Sequence, residues 1–161
     1  MRYFLLLLIM SYLLLGAAHR TALAQQRPAD GMLSYKSEYG VDESLKRLVS
    51  ELKENNMRIF QTVDHSAGAK SADMELPQTM LIIFGNPKAG TPLMKCARTT
   101  AIDLPQKMLI WEDENKEVHI AYNDPKYLDL RHQLGEECQK NLGKIGKALK
   151  NFATHAAGLD E

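Results

Sequence analysis

The sequence predicts an α+β domain of two layers: one sheet, mostly antiparallel or mixed, with helices packed mainly on one face. Three observations carry this. Residues 80–84 (Met-Leu-Ile-Ile-Phe) form an unbroken apolar run, the pattern of a well-covered strand. Residues 108–111 and 118–122 flank the charged stretch 112–117, which reads as a hairpin with a rather long turn. The expected elements then run strand, helix, strand, strand, short helix, hairpin, helix, helix, which is not the alternation of a doubly wound sheet.

From the N-terminus, residues 1–24 read as a secretory signal peptide. Arg2 supplies the positive start, residues 4–15 are almost wholly apolar, and Ala22-Leu23-Ala24 is a small-x-small cleavage site. The apolar run is short for a membrane span, so cleavage after Ala24 and no stable membrane insertion are expected. Gln25 at the new N-terminus argues against lipidation there. Periplasmic or secreted localisation follows. The 137 remaining residues suffice for one domain, expected over 32–157 after a flexible lead-in at 25–31. Cleavage removes Arg2 and Arg20, leaving 18 basic against 20 acidic side chains and a net charge of about −2. No global basic field for nucleic acid or an anionic membrane results.

Leu33, Tyr35 and Ser37 alternate with polar neighbours as a first strand. Asp42 is a plausible N-cap for a helix burying Leu45, Leu48, Val49 and Leu52 and ending at Asn55-Asn56. Residues 58–63 read as a second strand, and 64–69 as a loop or short helical turn. After the apolar strand at 80–84, Gly85-Asn86-Pro87 breaks the ladder. Thr91-Pro92 reads as a helix start, with hydroxyl at N-cap and proline at N1. Asp124-Pro125 repeats that signal before Tyr127, Leu128 and Arg131. After Gly135, one stripe carries Cys138, Leu142, Ile145, Leu149, Phe152 and Ala156, with Lys140, Lys144, Lys147 and Lys150 on a solvated face. Gly143 and Gly146 weaken that helix by ~1 kcal/mol each relative to alanine and suggest close packing on the sheet.

The chemistry is sparse. Residues 86–91 would lie at a helix N-terminus, where backbone N–H groups favour an anion. Gly85-x4-Gly90-Thr91 invites comparison with a nucleotide-binding P-loop, but no lysine follows the second glycine. A plain strand-to-helix turn and a small-ligand loop remain the alternatives. Among His65, His119, His132 and His155 no pair has metal-ligand spacing, and Cys-x-x-Cys is absent, so no metal or cofactor is expected. No Gly-x-Ser-x-Gly motif occurs. A Cys96/His65 nucleophilic pair is conceivable, but two cysteines in an exported chain make a Cys96–Cys138 disulfide the default.

Asp64-His65-Ser66-Ala67-Gly68-Ala69, the run from Phe84 through Asn86-Pro87-Lys88-Ala89-Gly90-Thr91 to Met94, Ile102-Asp103-Leu104-Pro105 and Tyr122-Asn123-Asp124-Pro125 together resemble the domain of unknown function 302 family. The resemblance covers about residues 33–152. It implies a compact α+β domain, dimeric in some members, and brings no activity with it.

Three functions follow as expectations. The leading one is an exported binding or sensing module holding a small, anionic or polar molecule at His65, Asn86, Lys88, Gly90 and Thr91. The second is a hydrolase- or lyase-like enzyme using His65 as acid or base beside loop N–H groups, set below the first because no complete catalytic constellation is visible. The third is a homodimeric scaffold without ligand. Convergence of His65 and Thr91 on one cleft would favour the enzyme, and their separation by the sheet the scaffold.

Overall fold

A computed structural model describes residues 31–159. The expected signal peptide at 1–24 and lead-in residues 25–30 lie outside the described residues. Gly31, also expected in the lead-in, belongs to the fold: its φ is 78°, a Cβ there would lie 2.9 Å from the Tyr127 ring, and its carbonyl accepts from Asp124 N–H at 2.9 Å.

Five strands form one antiparallel sheet in the order β1-β5-β4-β3-β2: β1 (Met32–Lys36), β2 (Arg58–Asp64), β3 (Thr79–Gly85), β4 (Gln106–Glu112) and β5 (Val118–Asn123). Of the two sheet types expected, the antiparallel one is found. The helices are α1 (Val41–Glu54), α2 (His65–Ser71), α3 (Pro87–Cys96), α4 (Pro125–His132) and α5 (Glu136–Ala157), with a 3₁₀ turn at Arg98–Ile102.

Register explains which face is covered. Ile82, Met108 and Tyr122 are successive cross-strand partners, as are Ile110 and Ile120, and all five are buried. With Phe84 they meet Leu48 and Leu52 of α1 and Leu142, Ile145, Leu149 and Phe152 of α5 in one core. The opposite face carries Leu81, Ile83, Leu109 and Trp111, only half-buried, so the apolar run of β3 serves both faces unequally. The amphipathic stripes of α1 and α5 supply the second layer, since an apolar sheet face is stable only when covered.

Several helix boundaries differ from expectation. Helix α1 starts one residue before Asp42, with Gly40 at N-cap and no side-chain cap; Asp42 and Glu43 lie in the first turn, where the helix dipole favours them. Residues 65–71 are a true helix, because the Asp64 carboxylate caps it by accepting from Ala67 N–H at 2.8 Å.

The larger correction concerns α3. It begins at Pro87, not after Thr91, and its N-cap is Asn86. Two cap-plus-proline signals compete five residues apart, and the upstream one wins. Asn86 Oδ1 accepts from Lys88 N–H at 2.9 Å while Asn86 Nδ2 donates to the Asn56 carbonyl at 3.3 Å, tying the cap to the end of α1. Pro92, inside the helix, then removes only one intrahelical bond, to the Lys88 carbonyl, at an exposed turn. Asn86→Ala is therefore expected to cost about 1 kcal/mol, and Thr91→Ala less than about 0.5 kcal/mol, in urea unfolding of the two variants. A larger loss from Thr91→Ala would restore the later helix start.

The glycines of α5 do not mark close packing on the sheet. A Cβ at Gly143 would meet nothing within 4 Å, and one at Gly146 would make ordinary contact with Pro125, at 3.6 Å. The stripe from Cys138 to Ala156 is buried as its period predicts, and Asp124 caps α4 through Lys126 N–H at 3.0 Å.

Candidate functional site

The end of β3, the start of α3 and the middle of α5 line a half-open cavity of about 510 Å³. Each wall has a local cause. The Asn-Pro start turns the chain from Gly85 into α3, so Lys88, Gly90, Thr91 and Met94 lie along one side. Asn141 Nδ2 donates to the Ala89 carbonyl at 2.9 Å and holds α5 against that turn, presenting Lys144, Ile145 and Ala148. Leu104 and Pro105 close a third side. A register shift between Ile59 and Gln61 leaves Phe60 without a cross-strand partner, and Phe60 completes the rim beside Met57. Such a bulge re-aims side chains locally.

Four residues singled out in the sequence, Asn86, Lys88, Gly90 and Thr91, line this cavity. Their expected chemistry changes, however. The first N–H groups of α3 are all engaged. Lys88 N–H goes to the Asn86 side chain, and Ala89 and Gly90 N–H go to the Asn86 carbonyl at 2.9 and 3.0 Å. Pro87 has none. The backbone donors expected to hold an anion are used by the cap itself, and Asn86, expected among the ligand-holding residues, has both its amide oxygen and its amide nitrogen hydrogen-bonded within the protein.

His65 does not join them. Asp64 pairs with Met80 at one end of the β2–β3 ladder, whereas Arg58 pairs with Gly85 at the other. The five-step run from Met80 to Gly85 along β3 places His65 roughly 17 Å or more from Asn86. His65 is exposed at the first position of α2. Its neighbour Asp64 is held below the ordinary carboxylate range, chiefly by the Ser66 hydroxyl and then by Ala67 N–H, and works as a helix cap. His65 and Thr91 thus lie toward opposite ends of the sheet, and the acid–base arrangement drawn from the sequence does not form.

Cys96 and Cys138 are disulfide-bonded, joining the end of α3 to the first turn of α5. The bond ties together the two helices that wall the cavity. Deeper in the wall, Gln106 Nε2 is buried without a hydrogen-bond partner. Spacing gave no sign of it, because an amide at the start of a strand looks solvent-facing until the strand is seen to pair with Phe84 under α5.

Two further clusters escaped the sequence. His132 Nε2 lies 2.6 Å from Asp103 Oδ2, His132 Nδ1 lies 3.0 Å from Thr99 Oγ1, and Arg131 reaches Asp103 Oδ1 at 3.2 Å. They bind α4 to the 3₁₀ segment from residues about thirty apart in the chain. In the β4–β5 turn, Asp113, Glu117 and His119 bring their donor atoms within 4.8 Å of one another, the metal-compatible group among the described residues. Alternation puts Glu117 and His119 on one face, with Asp113 across the turn. These groups already have partners: Glu117 accepts from Lys36 at 2.6 Å, Asp113 takes the N–H groups of Asn115 and Glu117, and His119 stacks on Trp111. The Glu117 N–H and then the His119 ring hold Asp113 below the usual carboxylate range.

Against known proteins, the family described as domain of unknown function DUF302 matches residues 33–152. The chain belongs to that family. A crystal structure of an uncharacterised conserved DUF302 protein from Bacillus stearothermophilus shares the fold with a TM-score of 0.72 and 15% identity, over 80% of this chain and 99% of that one. Proteins named fluoride-specific ion channel FluC 1, from Brucella suis and Brucella abortus, are 46% identical to this chain over 128 residues, 80% of its length. The chain spans about half the length of these curated relatives, the match covering 50% and 47% of them. Among the described residues, no helix is long and apolar enough to cross a membrane.

Proposed function

We propose that this protein is an exported small-molecule binding module, periplasmic or secreted, and that its ligand occupies the cavity between α3 and α5 with a largely apolar body. The supporting observation is the cavity itself. Its volume of about 510 Å³ lies within the range of ordinary ligand sites, and its walls are mostly apolar with a few polar groups at defined places. The site therefore moves from the backbone of residues 86–91 to the side chains around them, and His65 drops out of it. The enzyme alternative loses its acid–base residue by the same geometry. By the criterion set from the sequence, the parting of His65 from Thr91 counts toward the scaffold; the cavity outweighs it.

The neutral fluorophore N-phenyl-1-naphthylamine tests this. Its emission should rise on mixing with the native protein and saturate at one equivalent. Ala148→Phe, which projects a ring into the cavity from α5, should abolish that rise while leaving the melting temperature near wild type. Equal binding by the variant, or no binding by either, would leave the homodimeric scaffold as the better reading.

The names of the Brucella relatives favour a second reading, in which the module works attached to, or beside, a fluoride channel. A fluoride ion is strongly hydrated, and desolvating it in an apolar cavity is costly. The channel's ion is therefore a poor ligand for this domain. Sodium fluoride should stabilise the protein no more than sodium chloride at equal ionic strength; a fluoride-specific rise in melting temperature would reverse that assignment.

A further inference from the structure

The polar groups of the cavity are unequal in kind. Lys88 and Lys144 line it, and no aspartate or glutamate does. The whole chain balances 20 basic against 20 acidic side chains, so this bias is local. Neither lysine has an ion-pair partner among the described residues. Lys140 and Lys147, one turn before and after Lys144 on the same side of α5, add to the positive potential there. The acceptor of Asn86 is consumed by Lys88 N–H, whereas Gln106 Nε2 is a buried donor lacking an acceptor. The site thus offers positive charge against apolar walls of Met94, Leu104, Ile145 and Ala148. At the roughly 30 Å³ that one water occupies in the liquid, the cavity corresponds to the space of about 17 water molecules.

We propose, building on the binding reading above, that the ligand is an amphipathic monoanion: a free alkyl or aryl carboxylate whose apolar body fills the cavity and whose carboxylate pairs with Lys144. Lysine is a point charge on a flexible stem, suited to a single anionic group that enters and leaves rather than to a rigid bidentate clamp. The stem itself covers apolar surface at the rim, so one residue serves both halves of the ligand. The sequence alone assigns Lys144 to a solvated face, and the exposed lysine keeps that character until a carboxylate arrives.

Three ten-carbon chains differing only in the head group separate this from the broader reading: decanoate, decanol and decyltrimethylammonium, competing at pH 7.5 with N-phenyl-1-naphthylamine below their micelle concentrations. Decanoate should displace the probe at a concentration at least tenfold lower than decanol, with the cation weakest. Lys144→Met, which keeps the apolar stem, should bring decanoate to the level of decanol without changing the melting temperature. Lys147→Met, off the cavity wall, should preserve most of the preference. Equal displacement by decanoate and decanol on the wild type would overturn the anion assignment while leaving the binding reading intact. A decanoate preference that survives Lys144→Met would overturn the placement of the head group. Failure of all three to displace a probe that Ala148→Phe does exclude would overturn the amphiphile class. A probe that Ala148→Phe fails to exclude would bring down the binding reading itself.

Discussion

Replacing Cys96 and Cys138 together by alanine should lower the unfolding free energy by about 4 kcal/mol. The disulfide closes a loop between residues 42 apart, and in the chain-entropy model a loop of that size confers about 4 kcal/mol by restricting the unfolded chain. Truncation of the buried Cys138 side chain adds to the loss. For a domain of this length the corresponding drop in melting temperature is roughly 10–20 °C. Melts of wild type with and without reductant, beside the double variant, check it: reduced wild type and variant should coincide within a few degrees. A fall below about 1 kcal/mol would mean that the unfolded chain gains little freedom from losing the bridge. Because the bridge joins the two helices that wall the cavity, probe binding should weaken in step with its loss.

Phe84→Ala should cost about 3–5 kcal/mol, the range for truncating a buried aromatic ring. Phe84 is 1% exposed, and its ring meets that of Phe152 edge-to-face at 6.1 Å between centroids. That pairing joins sheet to α5 and adds about 0.5–1.5 kcal/mol beyond area burial. Urea unfolding should show a lower midpoint with an unchanged slope. Phe84→Leu keeps much of the volume and should lose clearly less. An alanine variant within about 1 kcal/mol of wild type would contradict the placement of Phe84 between β3 and α5.

Much of this architecture was legible in local pattern. The period of α5 placed Cys138, Leu142, Ile145, Leu149 and Phe152 on one buried stripe. Asp124-Pro125 marked the start of α4, and the charged stretch at 112–117 marked the β4–β5 turn. These signals work because each depends on residues within a turn or two of one another. The start of α3 shows where they fail. Asn86-Pro87 and Thr91-Pro92 are equally good starts by local rules, and the upstream one is the one that also bonds the Asn56 carbonyl, thirty residues away. His132 and Asp103 were invisible as a pair for the same reason.

Local pattern does not reach the helical nature of residues 65–71, the start of α3 or the 3₁₀ turn, but residue order alone yields the remaining secondary elements, the α+β class, the pairing of two cysteines and the family. Each follows from periodicity, capping chemistry, or the ordered set of short motifs. Tertiary structure alone decided which end of the sheet each loop occupies. It sent His65 to the end away from Asn86, because β2 and β3 are antiparallel and α2 follows β2 at the far end of their ladder. It also assembled the cavity, whose walls come from β2, β3, α3, the segment before β4, and α5. No local rule reaches across those separations. A cavity is what remains between elements once their apolar stripes have been satisfied, and its contents depend on how far apart the packed backbones come to rest.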